Sequence, residues 1–146
     1  MADIVENGMA YYWLQFGVDR RGLMEAAKEY RGLAYAPYSK FPVGAAILLD
    51  DGRIVGGCNV ENASYGLSLC AERVAMASAI TGGKCAPLAV AVAGPEGVFC
   101  SPCGACRQFL SEFNREMEVV LVDGGELLSF ALDELLPHGF RLGHAR

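Results

Sequence analysis

Apolar residues in the first part of the chain follow two different periods. From Asp19 onward they recur at the i, i+3, i+4, i+7 spacing that is typical of one helix face, at Leu23, Ala26, Ala27 and Tyr30. Asp19 can cap this helix, and Pro37 follows its end. Val43–Leu49 and Arg53–Gly57 are then predicted to be strands, because the segment between them, Asp50–Gly52, ends in the Asp-Gly pair typical of a hairpin turn.

The second part of the chain alternates predicted helices and buried strands. One helix is expected from about Cys70 to Ile80, ending before the glycine pair at 82–83, and another at Gly104–Asn114. Apolar runs predict buried strands at Ala86–Ala93 and Met117–Val122. A strand, a helix and a strand in succession favour a right-handed parallel crossover. We therefore predict an α/β fold with a mixed sheet, in which a hairpin is followed by parallel strands and helices pack on the sheet.

We find no internal repeat, low-complexity run or linker that would divide the 146 residues. This length and an apolar fraction of 53% suffice for one substantial core. We expect a single domain over residues 1–146, with an N-terminal extension at 1–18. The extension carries a group of aromatic residues, Tyr11, Tyr12, Trp13 and Phe16. We expect these to pack in the core, with packing on a neighbouring subunit as the alternative.

The formal net charge of −5 limits the classes of ligand. Polynucleotide binding draws most of its affinity from Lys and Arg side chains that neutralise phosphates, so an acidic chain is a poor match for that class. A small uncharged substrate suits this chain better. The apolar stretch Met9–Phe16 is too short to span a bilayer and no export signal is found, which predicts a cytoplasmic protein.

The six cysteines are expected to be reduced, because a chain with a large core and no export signal does not need a disulfide scaffold. Three of them fall in two short segments, C-A-E-R at Cys70–Arg73 and P-C-G-A-C at Pro102–Cys106. Each segment enters a predicted helix, where free N–H groups and the positive end of the helix dipole stabilise thiolates. The other three are expected to be small buried apolar residues, namely Cys58, Cys85 and Cys100.

Three cysteines in two such segments suggest a metal site with one open position. Thiolates suit zinc, which takes four ligands, and neither His138 nor His144 belongs to a recognisable partner motif. A structural zinc site is normally closed by a fourth protein ligand, whereas a catalytic site keeps a position for water. By itself, the pair Cys103 and Cys106 is equally compatible with a redox pair or half of a zinc knuckle. A proline before this pair and a C-x-E element upstream together match the signature of zinc deaminases.

From about Tyr35 to Phe140 the chain resembles the small, homotetrameric, three-cysteine cytidine deaminases. The segments A-P-Y-S-K-F-P-V-G-A-A, N-V-E-N-A-S-Y, C-A-E-R and P-C-G-A-C-R-Q occur in that family's order and spacing. The resemblance implies a three-layer α-β-α fold with a mixed sheet of about five strands. It also implies a homotetramer with one Zn²⁺ per subunit, held by Cys70, Cys103 and Cys106. The implied reaction, a step of pyrimidine salvage, is hydrolytic deamination of cytidine and 2′-deoxycytidine to uridine and 2′-deoxyuridine, with release of ammonia.

The resemblance makes Glu72 the proton shuttle, which takes a proton from water, delivers one to pyrimidine N3 and later protonates the departing ammonia. Consecutive helical residues turn by about 100°, so Cys70 and Glu72 would not share one face of an ideal helix. The place of Glu72 beside the metal therefore comes from the resemblance alone. Arg73 would donate to the cysteine sulfurs and offset the net negative charge of three thiolates around one Zn²⁺. A solvated arginine in a helical ion pair is the alternative.

Other residues of the quoted segments would contact the substrate. Asn59 and Glu61 leave the same face of an extended segment, and the resemblance assigns them to the ribose hydroxyls, chiefly the 3′-hydroxyl. A polar loop after a strand is the alternative for both. Phe41 would pack on the pyrimidine ring, and backbone groups of Ala71 and Ser101 would read the base edge. Three residues match positions that reach a neighbouring subunit's pocket: Ala63, Tyr65 and Phe140.

Two other hypotheses stay open. One is a zinc deaminase of another small aminated heterocycle, such as a free base, a modified nucleoside or a nucleoside antibiotic; Asn59 and Glu61 favour the nucleoside. The other is a non-enzymatic protein, either zinc-stabilised or thiol-redox, that uses the C-G-A-C segment. A redox motif would leave Cys70 and Glu72 unexplained, and a structural zinc site would need a fourth ligand. A deaminase of polynucleotides is disfavoured by the acidic chain.

Overall fold

The computed structural model describes Trp13 and residues 15–143. In order along this part of the chain are α1 (Arg20–Arg31), β1 (Gly44–Leu49), β2 (Ile54–Cys58), a 3₁₀ turn (Tyr65–Leu67), α2 (Ala71–Thr81), β3 (Pro87–Ala93), α3 (Gly104–Ser111), β4 (Glu118–Asp123), β5 (Glu126–Ala131) and α4 (Leu132–Leu135). The interpretations given above for Tyr11, Tyr12 and His144 concern residues outside these described ranges. No helix within the described ranges is both long and apolar enough to cross a bilayer.

Helix α1 begins and buries its face as its sequence predicts. The Asp19 side chain accepts a hydrogen bond from the Gly22 N–H at 2.7 Å, which satisfies one of the free donors of the first turn. Of the predicted face, Leu23 and Ala27 are fully buried and Ala26 and Tyr30 are half-buried, while Met24, which the pattern did not include, is buried. The buried residues pack against one face of the sheet.

The five strands form one mixed sheet in the order β2-β1-β3-β4-β5. β1 pairs antiparallel with β2 and β3, β3 pairs parallel with β4, and β4 pairs antiparallel with β5. The hairpin and the parallel strand pair joined through α3 are therefore confirmed. Every residue of β1 is buried because alternate side chains face two different layers. Ala45, Ile47 and Leu49 face the α2 and α3 side, and Ala46 and Leu48 face α1, which gives the predicted three-layer α-β-α arrangement.

The residue pattern did not locate the fifth strand or the short helix after it. β5 is only half-buried along its length, so its apolar residues do not form a clear run. It pairs with β4 through a two-residue turn in which Gly124 and Gly125 have φ angles of 57° and 86°. Both conformations favour glycine, and such glycine pairs are typical of tight hairpins. The pattern also extended the helix after Pro102 to Asn114, whereas α3 ends at Ser111.

β4 contains a buried carboxylate within a strand that the pattern predicts to be apolar. Glu118 accepts hydrogen bonds from the Trp13 indole N–H at 3.0 Å and from the Arg20 and Ser129 side chains. The Arg20 guanidinium also lies 5.5 Å from the centre of the Trp13 ring. Trp13 is therefore packed in the core, as expected for it, and Phe16 is partly buried against the same cluster.

The start of α2 is held close to the sheet by a glycine of β2. A Cβ added to Gly57 would lie 2.5 Å from the Ala75 backbone nitrogen and 2.9 Å from the Ala71 backbone oxygen. The absence of a side chain lets the first turns of α2 approach the strand, and this contact sets the position of the residues at the beginning of that helix.

Replacing Gly57 with alanine is expected to lower the free energy of unfolding by about 1–3 kcal/mol, because the added methyl group must displace backbone and not a flexible side chain. Urea denaturation measures the difference. Gly66→Ala is the matched control, since nothing lies within 4 Å of its added Cβ. That control should change stability by less than about 0.5 kcal/mol. Equal stability of the two variants would contradict the close approach of α2.

Candidate metal centre and active site

Three thiols meet where α2 and α3 begin. Cys70 is the N-cap residue of α2 and Cys103 is the N-cap residue of α3, and Cys106 lies buried in the first turn of α3. The three sulfur atoms lie within 4.8 Å of one another, and the Cys70 and Cys103 sulfurs are 3.9 Å apart. Among the described residues this metal-binding group consists of these three side chains, and His138 is exposed in the C-terminal segment, away from them.

The geometry and chemistry of this group fit zinc. Zinc–sulfur bonds of about 2.3 Å in a tetrahedron place neighbouring sulfurs about 3.8 Å apart, close to the separation of the Cys70 and Cys103 sulfurs. Thiolates are preferred zinc ligands, and two helix N-termini direct positive partial charge at the sulfurs. Three protein ligands leave a fourth position of the tetrahedron for a non-protein ligand.

The local charge favours a thiolate at Cys70. The Cys106 thiol donates a hydrogen bond to the Cys70 sulfur and, together with Arg73, lowers the pKa of Cys70 to about 5. The pKa of Cys106 is raised correspondingly, because that thiol keeps the shared proton and is buried. The Cys70 thiol therefore ionises more readily than the Cys106 thiol.

Arg73 lies behind the Cys70 sulfur. Its Nη2 donates to the Cys70 sulfur at 3.6 Å and to the Ser68 carbonyl oxygen at 3.3 Å, and its buried Nε has no hydrogen-bond partner. The nearby sulfur raises the pKa of the guanidinium further. The contact with sulfur agrees with the expected placement of Arg73, and the alternative of a solvated helical ion pair does not describe it.

Glu72 is buried two residues after Cys70, and both line the same pocket. The argument from an ideal helix does not apply here, because Cys70 has extended backbone angles, φ −76° and ψ 152°, and lies outside the helix. The cap residue can thus point into the pocket together with the second helical residue. Burial raises the pKa of the Glu72 carboxyl, and the charge at Cys70 adds to this effect.

The pocket that contains these groups has a volume of about 220 Å³ and is open to solvent on one side. Four of the residues predicted to contact substrate line it: Asn59, Glu61, Ala71 and Ser101. A second cavity of about 250 Å³ adjoins it, shares Glu61 and Ser68 with it, and is lined further by Tyr38, Ser39 and Tyr65. The two cavities form one continuous surface through the shared residues.

Asn59 holds the loop in front of the pocket. Its Oδ1 accepts a hydrogen bond from the Val43 N–H at 2.9 Å, and its Nδ2 donates to the Phe41 carbonyl oxygen at 2.8 Å. One amide hydrogen and one lone pair of this side chain are not used by these two bonds. Phe41 itself is exposed and is not among the residues that line the pocket.

Glu61 holds the preceding part of the same loop. Its carboxylate accepts hydrogen bonds from the Tyr38 N–H at 3.0 Å, the Ser39 N–H at 3.1 Å and the Ser39 hydroxyl. These donors, the hydroxyl first, lower the pKa of Glu61. An ionised carboxylate therefore faces the junction of the two cavities.

The residues expected to serve a neighbouring subunit lie away from the thiol group. Ala63, Tyr65 and Phe140 are all exposed, and the Tyr65 ring packs edge-on against Tyr38 with centres 5.7 Å apart. Within one chain only Tyr65 reaches either cavity, and it lines the second. The backbone of Phe140 accepts a hydrogen bond from the Gln108 side chain at 3.1 Å.

All six cysteines are free thiols, and the three outside the metal group are half-buried. Cys85 and Cys100 pack against the core, in partial agreement with the expectation for them, and Cys58 ends β2. Cys100 also lines the pocket, which the sequence did not indicate. Burial raises the pKa of the Cys100 thiol to about 11, so it behaves as a small apolar residue in the wall of the pocket.

Arg107 has a structural role near the site that the sequence did not predict. Its guanidinium donates to the Pro102 carbonyl oxygen at 2.8 Å, the Leu135 carbonyl oxygen at 2.8 Å and the Ser101 hydroxyl at 3.3 Å. The available signal was its position directly after Cys106 at a buried helix start. A lone arginine at such a position is more often a solvated surface residue. Only the hydrogen bond to Leu135, which is far away in the sequence, distinguishes a structural Arg107 from a solvated one.

Comparison with known proteins places the chain among zinc deaminases. Residues 18–122 match the family model described as the cytidine and deoxycytidylate deaminase zinc-binding region. A cytidine deaminase of Sporosarcina psychrophila is 44% identical over 125 residues, which cover 84% of this chain and 92% of that protein. A blasticidin-S deaminase of Bacillus cereus is 32% identical over 123 residues, covering 79% of this chain and 87% of that protein.

The solved structures agree with the predicted fold. The crystal structure of a cytidine deaminase from Burkholderia pseudomallei matches with a TM-score of 0.80 and 46% identity, and the match covers 84% of this chain and 100% of that one. The zinc-binding family match and the three-thiol group together identify zinc as the cofactor. By the extent of the family match and the identity to its relatives, this chain belongs to the cytidine and deoxycytidylate deaminase family.

Proposed function

We propose that this protein catalyses the hydrolytic deamination of cytidine and 2′-deoxycytidine to uridine and 2′-deoxyuridine, releasing ammonia. The observation that carries the proposal is the buried Glu72 carboxyl in the same pocket as the three-thiol group. A structural zinc site has no need of an acid group in an open pocket. The 44% identity to a protein named cytidine deaminase supports the choice of substrate.

Cys70, Cys103 and Cys106 would hold the zinc. Bound there, zinc supplies a Lewis acid that makes water nucleophilic near neutral pH. The dication with three thiolates carries a net charge of −1, which opposes that effect. Arg73 and the N-termini of α2 and α3 would offset the excess charge, because the guanidinium contacts the Cys70 sulfur and both helices begin at the site.

Glu72 would move the protons of the reaction. Its burial keeps bulk water away from the carboxyl, so a proton taken from water is retained for transfer to N3 of the pyrimidine and then to the departing amine. Attack at C4 with protonation at N3 gives a tetrahedral carbon, and loss of ammonia leaves the carbonyl of uridine. The net reaction consumes one water and changes no oxidation state.

The nucleoside would be held from both ends. Backbone groups of Ala71 and Ser101, in the wall of the pocket beside the thiols, would read the base edge, and Phe41 would pack on the ring. Asn59 and Glu61, which also line the pocket, would bind the sugar hydroxyls with the hydrogen-bonding positions that the loop does not use. A carboxylate and an amide suit a neutral, hydroxyl-rich ligand.

The quaternary assignment is also a proposal. We infer a homotetramer whose sites are completed by Ala63, Tyr65 and Phe140 of neighbouring copies. Support comes from apolar side chains that are exposed on one chain, namely Leu33, Tyr35, Leu67 and Leu69, the last of which lines the pocket. The single domain over residues 1–146, the extension at 1–18 and the cytoplasmic location stay predictions.

A second candidate substrate is another small aminated heterocycle. It is favoured by one observation, the 32% identity to a blasticidin-S deaminase, which shows that the named activities of relatives differ. This candidate would use the same zinc and the same Glu72. Only the part of the pocket formed by Asn59 and Glu61 would contact such a substrate differently from a cytidine.

The first prediction from the proposed function concerns activity on cytidine. Purified protein should form uridine and ammonia in equal amounts, and Glu72→Gln should keep its zinc while losing turnover by about 10²- to 10⁴-fold, because the amide cannot relay protons. Product chromatography and an ammonia assay measure both. Glu112→Gln, an exposed change of the same kind, is the control and should match wild type.

The same assay is repeated with cytosine and other aminated heterocycles as alternative substrates. Cytosine should react more slowly than cytidine if Asn59 and Glu61 hold the sugar. A wild-type protein that carries zinc and leaves cytidine unchanged would contradict the nucleoside assignment and favour the second candidate. An active Glu72→Gln variant would contradict the proton-shuttle role.

The second prediction concerns the metal. One zinc per chain should protect three of the six thiols from an aromatic disulfide reagent, and a strong chelator should expose them and abolish turnover. When zinc binding is titrated, Arg73→Gln should have a zinc affinity about 10- to 100-fold weaker than that of wild type. Arg53→Gln is the control and should be unaffected. A reversible disulfide between Cys103 and Cys106, formed without bound zinc, would favour the thiol-redox hypothesis instead.

The third prediction concerns shared sites. Specific activity should fall on dilution in step with dissociation to the monomer, because each pocket would then lack the side chains supplied by its neighbours. Sedimentation velocity and initial rates over the same concentration series measure the two quantities. A monomer with full activity would refute sharing.

A further inference from the structure

Arg107 connects two segments that are far apart in the sequence. Its Nε and Nη2 donate to the Pro102 carbonyl oxygen and the Ser101 hydroxyl, directly before the Cys103 ligand position. Its Nη1 donates to the carbonyl oxygen of Leu135, the last residue of α4. One side chain therefore joins the loop beside the metal centre to the end of the last helix.

The chemistry of arginine suits this connection. The guanidinium is planar and presents its donors in a fixed fork, so three bonds to acceptors in different directions constrain the acceptors relative to one another. A charged donor to a carbonyl oxygen also forms a stronger hydrogen bond than a neutral donor does. The side chain is part-buried, and two of its three bonds are 2.8 Å long.

The next residue of α3 extends the connection along the C-terminal segment. Gln108 donates to the Phe140 carbonyl oxygen at 3.1 Å. Adjacent residues of one helix thus hold the chain at two points beyond β5, one at the end of α4 and one five residues later. The C-terminal segment is fastened to the helix that carries Cys106.

Arg107 itself does not take part in the pocket. It is absent from the residues that line the pocket, and its three acceptors are two carbonyl oxygens and one hydroxyl. Any effect on the reaction must therefore pass through the loop at 101–103. That loop supplies Ser101 and Cys103 to the lining of the pocket.

We propose that Arg107 is a positioning residue that fixes the 101–103 loop to the end of α4, so that the docked C-terminal segment sets the geometry of the base-binding side of the pocket. The inference rests on the proposed function for its kinetic consequence. The mechanical connection between the two segments does not depend on that function.

The kinetic test compares Arg107→Gln, Arg107→Lys and Arg53→Gln, each corrected for bound zinc. Arg107→Gln should lower kcat/KM for cytidine by about 10- to 100-fold, mostly through a higher KM, because the base edge is read by a displaced loop. Arg107→Lys keeps the charge and one hydrogen bond and should fall between Arg107→Gln and wild type. Arg53→Gln, whose side chain bonds to Asp51 in the β1–β2 turn, should match wild type.

Amide hydrogen exchange tests the connection without any assay of activity. In Arg107→Gln, with and without zinc, exchange should accelerate in both 100–103 and 132–140, and in Arg53→Gln it should accelerate in neither. A variant that is only globally destabilised would exchange faster throughout the chain. Should Arg107→Gln not fold, the same measurement on Arg107→Lys decides the question.

The outcomes separate the two proposals. Unchanged kcat/KM in zinc-loaded Arg107→Gln, or acceleration confined to one of the two segments, would overturn the positioning role. If wild type does not deaminate cytidine but exchange accelerates in both segments, the proposed function fails and the connection through Arg107 stands.

Discussion

The site depends on the meeting of two helix N-termini at one point. Three thiol sulfurs within 4.8 Å of one another cannot all carry negative charge unless positive charge lies close, since like charges at that distance repel. Zinc would supply most of that charge, and the beginnings of α2 and α3 together with Arg73 would offset what remains. The Cys106 thiol and Arg73 also lower the pKa of the Cys70 thiol, which favours a thiolate at that position.

The layers of the fold place those helix ends. β1 is covered on both faces, so the helices on each side are held by apolar contacts along the whole strand. Gly57 allows α2 to approach β2 more closely than a side chain would, and the cap at Cys70 lies at the end of that contact. Because Cys70 is extended and outside the helix, it can face the pocket together with Glu72. The chemistry of the pocket thus follows from where a helix begins.

The open side of the pocket, unlike the helix starts, is formed by polar side chains that hydrogen-bond to the backbone of loops. Asn59 and Glu61 hold the backbone of residues 38–43, and the groups proposed to bind the sugar are those that shape the wall around it. On the metal side, Arg107 likewise donates hydrogen bonds to backbone carbonyl oxygens. These hydrogen bonds satisfy backbone carbonyl and N–H groups of loops that have no strand or helix partner.

Much of the fold and of the metal centre follows from local sequence. The α1 cap and its apolar face, the hairpin, the buried strands and the three cysteines at helix starts depend on residues within a few positions of one another, so periodicity and capping rules reveal them. The acidic composition likewise favours a small neutral substrate. What only the tertiary structure decided involves residues far apart in the chain. The burial of Glu118 against Trp13, the half-exposed β5, Cys100 in the pocket wall and the bonds of Arg107 to Leu135 all require the packed fold. No local pattern encodes them, because whether a polar or weakly apolar residue is buried depends on which distant segment covers it.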